Sequence, residues 1–297
     1  DLHAGEVVLE QEPMQRQVGT GVGVPGLGSL VVDARDFLGL EPTHNPSRWV
    51  LPVTDGIITG GDFLFGGCAL GAAAATMEAV CGRPLVWATA QYLSFATTGE
   101  IMDLDVTVAV SGRNTAQARA VGHVGDREIL TVNAALGERD LPVSGQWAVM
   151  PTVDAPEHCP IRAPRFGLER SIMTRLDVRI AVGRGWDDLD GNPAPDGRSA
   201  LWVRVPDVEM SAATLSILGD YVPFGISQAL GGWYPINSLD NTLRVVCLEP
   251  SEWVLIDVRV DGLHNGFGHG SVHLWNQDGT LLATASQSTV VRNRRLD

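Results

Sequence analysis

Residues 47–136 can be laid on residues 199–288 at one constant shift of 152, without a gap, and the apolar alternation and turn signals stay in register. A period this long is not that of a solenoid, whose units run about 20 to 50 residues. It points to two whole domains of like fold. Matched identities include Val53 with Val205, Asp55 with Asp207, Gly67 with Gly219 and Asp105 with Asp257. Agreement of pattern carries the overlay further than these identities do. Each copy has a short strand (Trp49 to Val53; Leu201 to Val205), a helical stretch, and then alternating strands broken at the same offsets. The copies differ at a few places. The second holds Asp220, Ser238 and Gln287 where the first has Cys68, Val86 and Ala135, and Asp240 where the first has Ala88. Polar groups in slots that a twin fills with small or apolar side chains mark one copy as the bearer of a site.

A chain of 297 residues favours about two domains of 100 to 200 residues, in line with the repeat. The expected division is an N-terminal arm over 1–28, a first domain over 29–149, a connection rich in proline and charge over 150–165, and a second domain over 166–297. In the first domain the run from Cys68 to Val80, alanine-rich and stopped by Gly82, predicts a buried helix. Strands are predicted at Leu85 to Phe95, Met102 to Val110, Thr115 to Val124 and Glu128 to Leu136. In the second, a helical stretch from Ala212 to Ala229 is interrupted by Pro223, which a helix interior disfavours. A new helical segment is therefore expected near Gly219 and Asp220, with Asp220 beside free backbone N–H groups. Strands follow at Thr242 to Cys247, Trp253 to Val260, Gly270 to Trp275 and Leu281 to Val291. One long helix beside an antiparallel sheet, twice over, is an α+β architecture.

The net charge of −14, with no basic stripe, opposes nucleic acid and anionic membrane as partners. The four cysteines lack CxxC spacing and read as reduced. No apolar run reaches the roughly 18 residues of a membrane span, and a cytoplasmic location with no membrane insertion is the expectation. The string Gly21 to Gly26 fits GxGxxG but lacks the preceding strand of a dinucleotide loop. His264, His269 and His273 have no companion pattern of ligand spacing, and Gly225 to Ala229 lies in a helix, unlike a serine-hydrolase elbow. No metal and no cofactor are expected.

The run FGGCALGAAAATMEAV, followed by TAQYLSFATTGE and DVTVAVSGRNTAQARAV, resembles the first half of the acyl-CoA thioesterase II family, whose fold is a double hotdog. In the second half LGDYVPF, SLDNTL and NQDGTLLATASQSTVVRN are similar to that family's helix aspartate, its Ser/Thr-Leu/Ile-Asp strand and its terminal glutamine strand. The resemblance implies two tandem hotdog domains and a water activated by Asp220, Ser238 and Gln287 for attack on an acyl-CoA thioester. Asp240, two residues from Ser238 and expected on the same strand face, would support that site. The backbone of Gly66, Gly67 and Gly219 is expected to face an oxyanion or substrate. After SLD the chain departs from the family's pattern, reading Asn241-Thr242-Leu243-Arg244. A non-catalytic acyl-CoA-binding protein is the alternative, and an enoyl-CoA hydratase a weaker one, since no histidine adjoins Asp220. A homo-oligomer, a dimer or higher, is expected of paired hotdog sheets.

Overall fold

A computed structural model describes residues 31–164 and 167–292. The expected arm over 1–28, with its GxGxxG string, lies outside the described residues. A short helix α1 (Ala34–Leu38) and strands β1 (Glu41–Pro42) and β2 (Arg48–Pro52) precede the first long helix, α2 (Gly66–Cys81). Strands β3 (Leu85–Tyr92), β4 (Ile101–Ser111), β5 (Thr115–Val124) and β6 (Arg127–Gly137) complete the first half. The second half comprises β7 (Asp177–Val182), β8 (Arg198–Arg204), helices α3 (Ala212–Leu218) and α4 (Val222–Leu230), and strands β9 (Ile236–Ser238), β10 (Asp240–Val245), β11 (Val254–His264), β12 (Phe267–Trp275) and β13 (Leu281–Val291). As the sequence predicts, Pro223 stands in the first turn of α4, and the helical stretch breaks between Leu218 and Val222 with Asp220 in the break.

The thirteen strands of the described residues form one sheet, ordered β1-β2-β4-β5-β6-β3-β10-β13-β12-β11-β8-β7, with β9 also paired to β13. Each half keeps its strands together, and the halves join along the antiparallel pair β3–β10. Helix α2 is buried along most of its length, and the strands beneath it present small residues, Ala116, Ala118, Ala120 and Gly122 on β5, that let it lie close. Gly67 and Gly71, one turn apart on α2, do the same toward α3. A Cβ at Gly67 would stand 2.9 Å from Ile217 Cα, and one at Gly71 2.9 Å from the Ala213 carbonyl oxygen. Glycine costs a helix interior about 1 kcal/mol, offset here by the close approach of the two halves' helices.

Strand pairing refines the repeat. Leu51 faces Met102 as Val203 faces Val254, and Leu104 faces Gly122 as Ile256 faces Leu274, each partner 152 further on. In the two inner strands the offset becomes 153: Ala90 faces Val132 as Leu243 faces Ala285, and Ala120 faces Val132 as Val272 faces Ala285. A gapless overlay misses this because one extra residue enters between β8 and β10, and because the turn from Asn276 to Thr280 is longer than the Gly125-Asp126 turn of the first half. The twins named from sequence for two site positions are thereby corrected. Gln287 corresponds to Ala134, not Ala135, and Ser238, facing Thr289 as Leu85 faces Leu136, corresponds to Leu85, not Val86. Both true twins are buried and apolar, so the contrast between halves becomes sharper. Thr89 and Thr242, also 153 apart, face each other across β3–β10 with hydroxyl oxygens 2.7 Å apart. That pair marks the pseudo-two-fold axis.

The stretch before the second half crosses the outer side of its sheet. Met150 and Val153 pack on a cluster of Trp202, Trp253, Trp275 and Leu281, and Trp202 Nε1 donates to the Asp154 carbonyl at 2.9 Å. Among the described residues no helix is long and apolar enough to cross a membrane.

Candidate active site

Asp220, Ser238 and Gln287 arrive from the helix break, the end of β9 and the middle of β13, and the structure brings them together. Gln287 joins the other two. Its Nε2 donates to Asp220 Oδ1 and, at 2.8 Å, to Ser238 Oγ. Its Oε1 accepts the Val222 N–H of α4 at 3.0 Å. Both amide hydrogens and the carbonyl are therefore engaged, which fixes the carboxamide's orientation. Gln287 is 2% and Asp220 6% exposed.

The fourth partner comes from the other half. Gly67 N–H, in the first turn of α2, donates to Asp220 Oδ2 at 2.6 Å. Asp220 thus takes its backbone donor from the N-terminus of α2, across the pseudo-two-fold axis. The expectation that the start of its own helix would serve it is corrected: Tyr221 caps α4 and the first free amide there goes to Gln287. Gly66 must lack a side chain, because a Cβ there would meet Asp220 Oδ2 at 2.8 Å and the Tyr92 ring at 3.0 Å. Tyr92 Oη donates to the Gly66 carbonyl at 2.9 Å, tying β3 to the same corner.

Three other expectations change. Gly219 N–H is engaged by the Leu215 carbonyl at 2.8 Å within its own turn, and Gly67 N–H by Asp220, so neither is free for an oxyanion. Gly66 lines the cavity described below. Asp240 does not share a face with Ser238. Leu239 interrupts the alternation between β9 and β10, burial resumes at Asn241 and Leu243, and Asp240 Oδ1 accepts the Ser288 N–H at 2.5 Å. It fastens the backbone next to Gln287 without touching the other site residues.

Burial governs the electrostatics. Asp220 is pushed up from 3.8 to about 6, because desolvation outweighs the hydrogen bonds from Gln287, Gly67 and Ser238 that favour the carboxylate. Tyr92 and Tyr221 are also raised by burial, with the negative charge of Asp220 adding to each. Asp220 and Ser238, with Gln287 behind them, open on a cavity of about 690 Å³, within the range of small-ligand sites. Its walls come from both halves: Phe63, Phe65 and Tyr92 from the first, Tyr221, Phe224 and Ile236 from the second, and Arg162 from the stretch between them. Sequence reasoning missed Tyr92 and Arg162. The constant shift sets Tyr92 opposite Arg244, so the contrast of polar with apolar that marks the other positions is missing there, and Arg162 sits in a stretch whose composition signals only a connection. Among the described residues no group of His, Cys, Asp or Glu is placed to hold a metal ion; His269 bonds to Ser288 Oγ and His273 stacks on Trp275.

A helix packed on each half of one continuous antiparallel sheet, with a polar cluster where the two helix starts meet, defines a double hotdog protein. The comparisons with known proteins agree. The sequence profile of the acyl-CoA thioesterase C-terminal domain matches residues 152–291. A structure of a candidate thioesterase from Novosphingobium aromaticivorans is 33% identical, with a TM-score of 0.76, over 85% of this chain and 98% of that one. A hot dog fold protein from Alicyclobacillus acidocaldarius has a TM-score of 0.74 at 21% identity, over 88% and 98% of the two chains. An acyl-CoA thioesterase II from Mycobacterium marinum has a TM-score of 0.67 at 17% identity, over 88% and 99%. Among curated proteins none matches. The chain belongs to the acyl-CoA thioesterase II family.

Proposed function

We propose that this chain hydrolyses acyl-CoA thioesters to the free carboxylic acid and coenzyme A, by direct attack of a water activated at Asp220. The observation that carries this reading is the hydrogen-bonded cluster in which Asp220 and Ser238, held by the buried Gln287, face an apolar cavity. With its carboxyl at about 6, Asp220 is ionised near neutral pH and still basic enough to take a proton, the compromise wanted of a general base. Both Nε2 hydrogens of Gln287 are engaged, one on each partner. The remaining lone pairs of Asp220 and of the Ser238 hydroxyl oxygen are then left to hold the water.

In the reaction, a water O–H bond breaks as its proton passes to Asp220, and the oxygen bonds to the thioester carbonyl carbon. The tetrahedral intermediate collapses, the C–S bond breaks, and Asp220 returns the proton to the leaving thiolate. Gln287 and Gly67 hold the carboxylate throughout, so no reorganisation is needed as charge moves. Hydrolysis, and not hydration of an enoyl group, fits the lining of the cavity, which has one carboxylate and no histidine among the described residues.

The test is free-thiol release from a panel of acyl-CoAs, combined with a single turnover in water enriched in oxygen-18. Release on at least one chain length, with the label carried directly into the product carboxylate, is expected. No release on any chain length defeats the hydrolytic reading in favour of an acyl-CoA-binding protein. Label found in Asp220 after one turnover, and absent from product, replaces water attack by a covalent route.

A further inference from the structure

The wall of the cavity carries one cation among the described residues, Arg162, and its setting is unusual for an arginine. Its backbone is fastened to the sheet edge: Ile161 pairs with Arg179 of β7, and Arg162 N–H donates to the Val178 carbonyl at 2.8 Å. The guanidinium then lies over the Trp186 ring at 4.3 Å and the Phe224 ring at 4.9 Å. No carboxylate pairs with it among the described residues, and the one titratable group that favours its charge is the Tyr221 phenol. Burial accordingly lowers its pKa from the ordinary value. Aromatic contact orients the guanidinium plane and leaves its N–H donors at the rim. A partly buried cation without a counter-ion is costly, and a chain of net charge −14 has many carboxylates with which it did not pair this one.

We propose that Arg162 is an anion receptor inside the acyl cavity, taking an anionic oxygen group of the substrate, either a carboxylate on the acyl group or a phosphate of the coenzyme. This rests on the thioester-hydrolysing reading of the site. Position favours the acyl source. Phe224, over whose ring the guanidinium lies, stands in the first turn of α4, which begins two residues after Asp220, whereas the whole pantetheine arm separates the coenzyme's phosphates from the thioester. An acyl chain ending in a carboxylate would lay its apolar middle along the aromatic wall and its terminus on Arg162. Arg162 is not among the groups that move the Asp220 carboxyl, so binding and proton transfer are separable.

The experiment compares hexanoyl and adipoyl groups, each carried on coenzyme A and on N-acetylcysteamine, which lacks phosphates, in wild type, Arg162→Met and Arg162→Lys. For the acyl source, Arg162→Met loses about 10- to 100-fold in kcat/KM on adipoyl thioesters of either carrier, the cost of a charged hydrogen-bond pair. Arg162→Lys recovers part of it. For the coenzyme source, both coenzyme A thioesters lose and neither N-acetylcysteamine thioester does. Hexanoyl-N-acetylcysteamine carries no anion; a loss on it as large as on the others, or no loss on any substrate, overturns the proposal. The pH at which activity half-rises should stay where it is in wild type, which a merely structural lesion would not guarantee. Tryptophan fluorescence titrations with adipate and with free coenzyme A, on Asp220→Ala and on Asp220→Ala/Arg162→Met, separate the two readings. Binding that needs Arg162 in a protein releasing no thiol upholds the receptor while hydrolysis fails. Release of thiol without any Arg162-dependent binding does the reverse.

Discussion

The two halves share a strand plan and differ at one corner each. In the second, Ser238 and Gln287 face the helix break; in the first, the same places hold Leu85 and Ala134, both buried. The first half is nonetheless no passive wall. It supplies the Gly67 N–H to Asp220, the glycine at 66 that leaves the carboxylate room, and Tyr92 to hold that glycine's carbonyl. One half carries the side-chain chemistry and the other the backbone donor. A site shared in this way cannot be moved to one half without losing a partner from the other, which explains why a duplicated fold keeps both copies.

The largest effect that sharpens this contrast is expected at Asp220. Asp220→Ala should lower thiol release by about 10³-fold, the middle of the range for a general base; retention of a tenth of the activity would break the assignment of the chemistry to the second half. In wild type, kcat/KM should rise with pH through about 6 as the carboxyl ionises, and fall below it. Stability should run the other way. The folded carboxyl is raised above its ordinary value of 3.8, so its favourable contribution is complete below that value and is lost as pH rises through about 6, on the order of 3 kcal/mol in all. Denaturant melts at pH 4 and pH 8 should show this slope in wild type and not in Asp220→Ala.

Gln287→Ala comes next, at about 10²-fold in kcat, because it frees Asp220 Oδ1, leaves Ser238 unpositioned and strips the Val222 N–H of its acceptor. A buried donor left unpaired costs about 1 to 3 kcal/mol, so the same variant should melt earlier. Ser238→Ala should cost about 10-fold, since the hydroxyl is one of several groups around the water and not the base. Equal losses for Ser238→Ala and Gln287→Ala in thiol-release assays would mean that the glutamine acts only by holding the serine, and would remove its direct tie to Asp220.

Much of this arrangement is legible in the sequence. Asp220, Ser238 and Gln287 stand out because a repeat supplies its own control, and Pro223 announces the helix break that exposes Asp220. What stays hidden depends on register and on partners across the axis. A gapless shift cannot register the extra residue between β8 and β10 or the longer turn at Asn276 to Thr280, so Val86 and Ala135 are named in place of Leu85 and Ala134, and the irregularity at Leu239 turns Asp240 away from the face of Ser238. The Gly67 N–H belongs to the backbone and leaves no side-chain signal at all. Whether helix dipole or burial sets Asp220 is likewise undecided by sequence, because the answer depends on 6% exposure, which only packing determines.

The smallest expected effect falls on the first half. Cys68 brings a thiol from the first half to the corner, at the place the constant shift equates with Asp220. It is fully buried, its thiol is held well above the ordinary cysteine value by desolvation and by the charge of Asp220, and it does not line the cavity. A thiol in that state is not a nucleophile at neutral pH. Cys68→Ala should therefore leave kcat/KM within about twofold of wild type, and an alkylating reagent should fail to inactivate the folded protein through this residue. The lost sulfur leaves a cavity smaller than a methyl pair, costing about 1 kcal/mol or less, so the variant should fold. A collapse of activity in Cys68→Ala with an unchanged melt would mean that both halves do chemistry, and the division between a half that reacts and a half that holds would no longer stand.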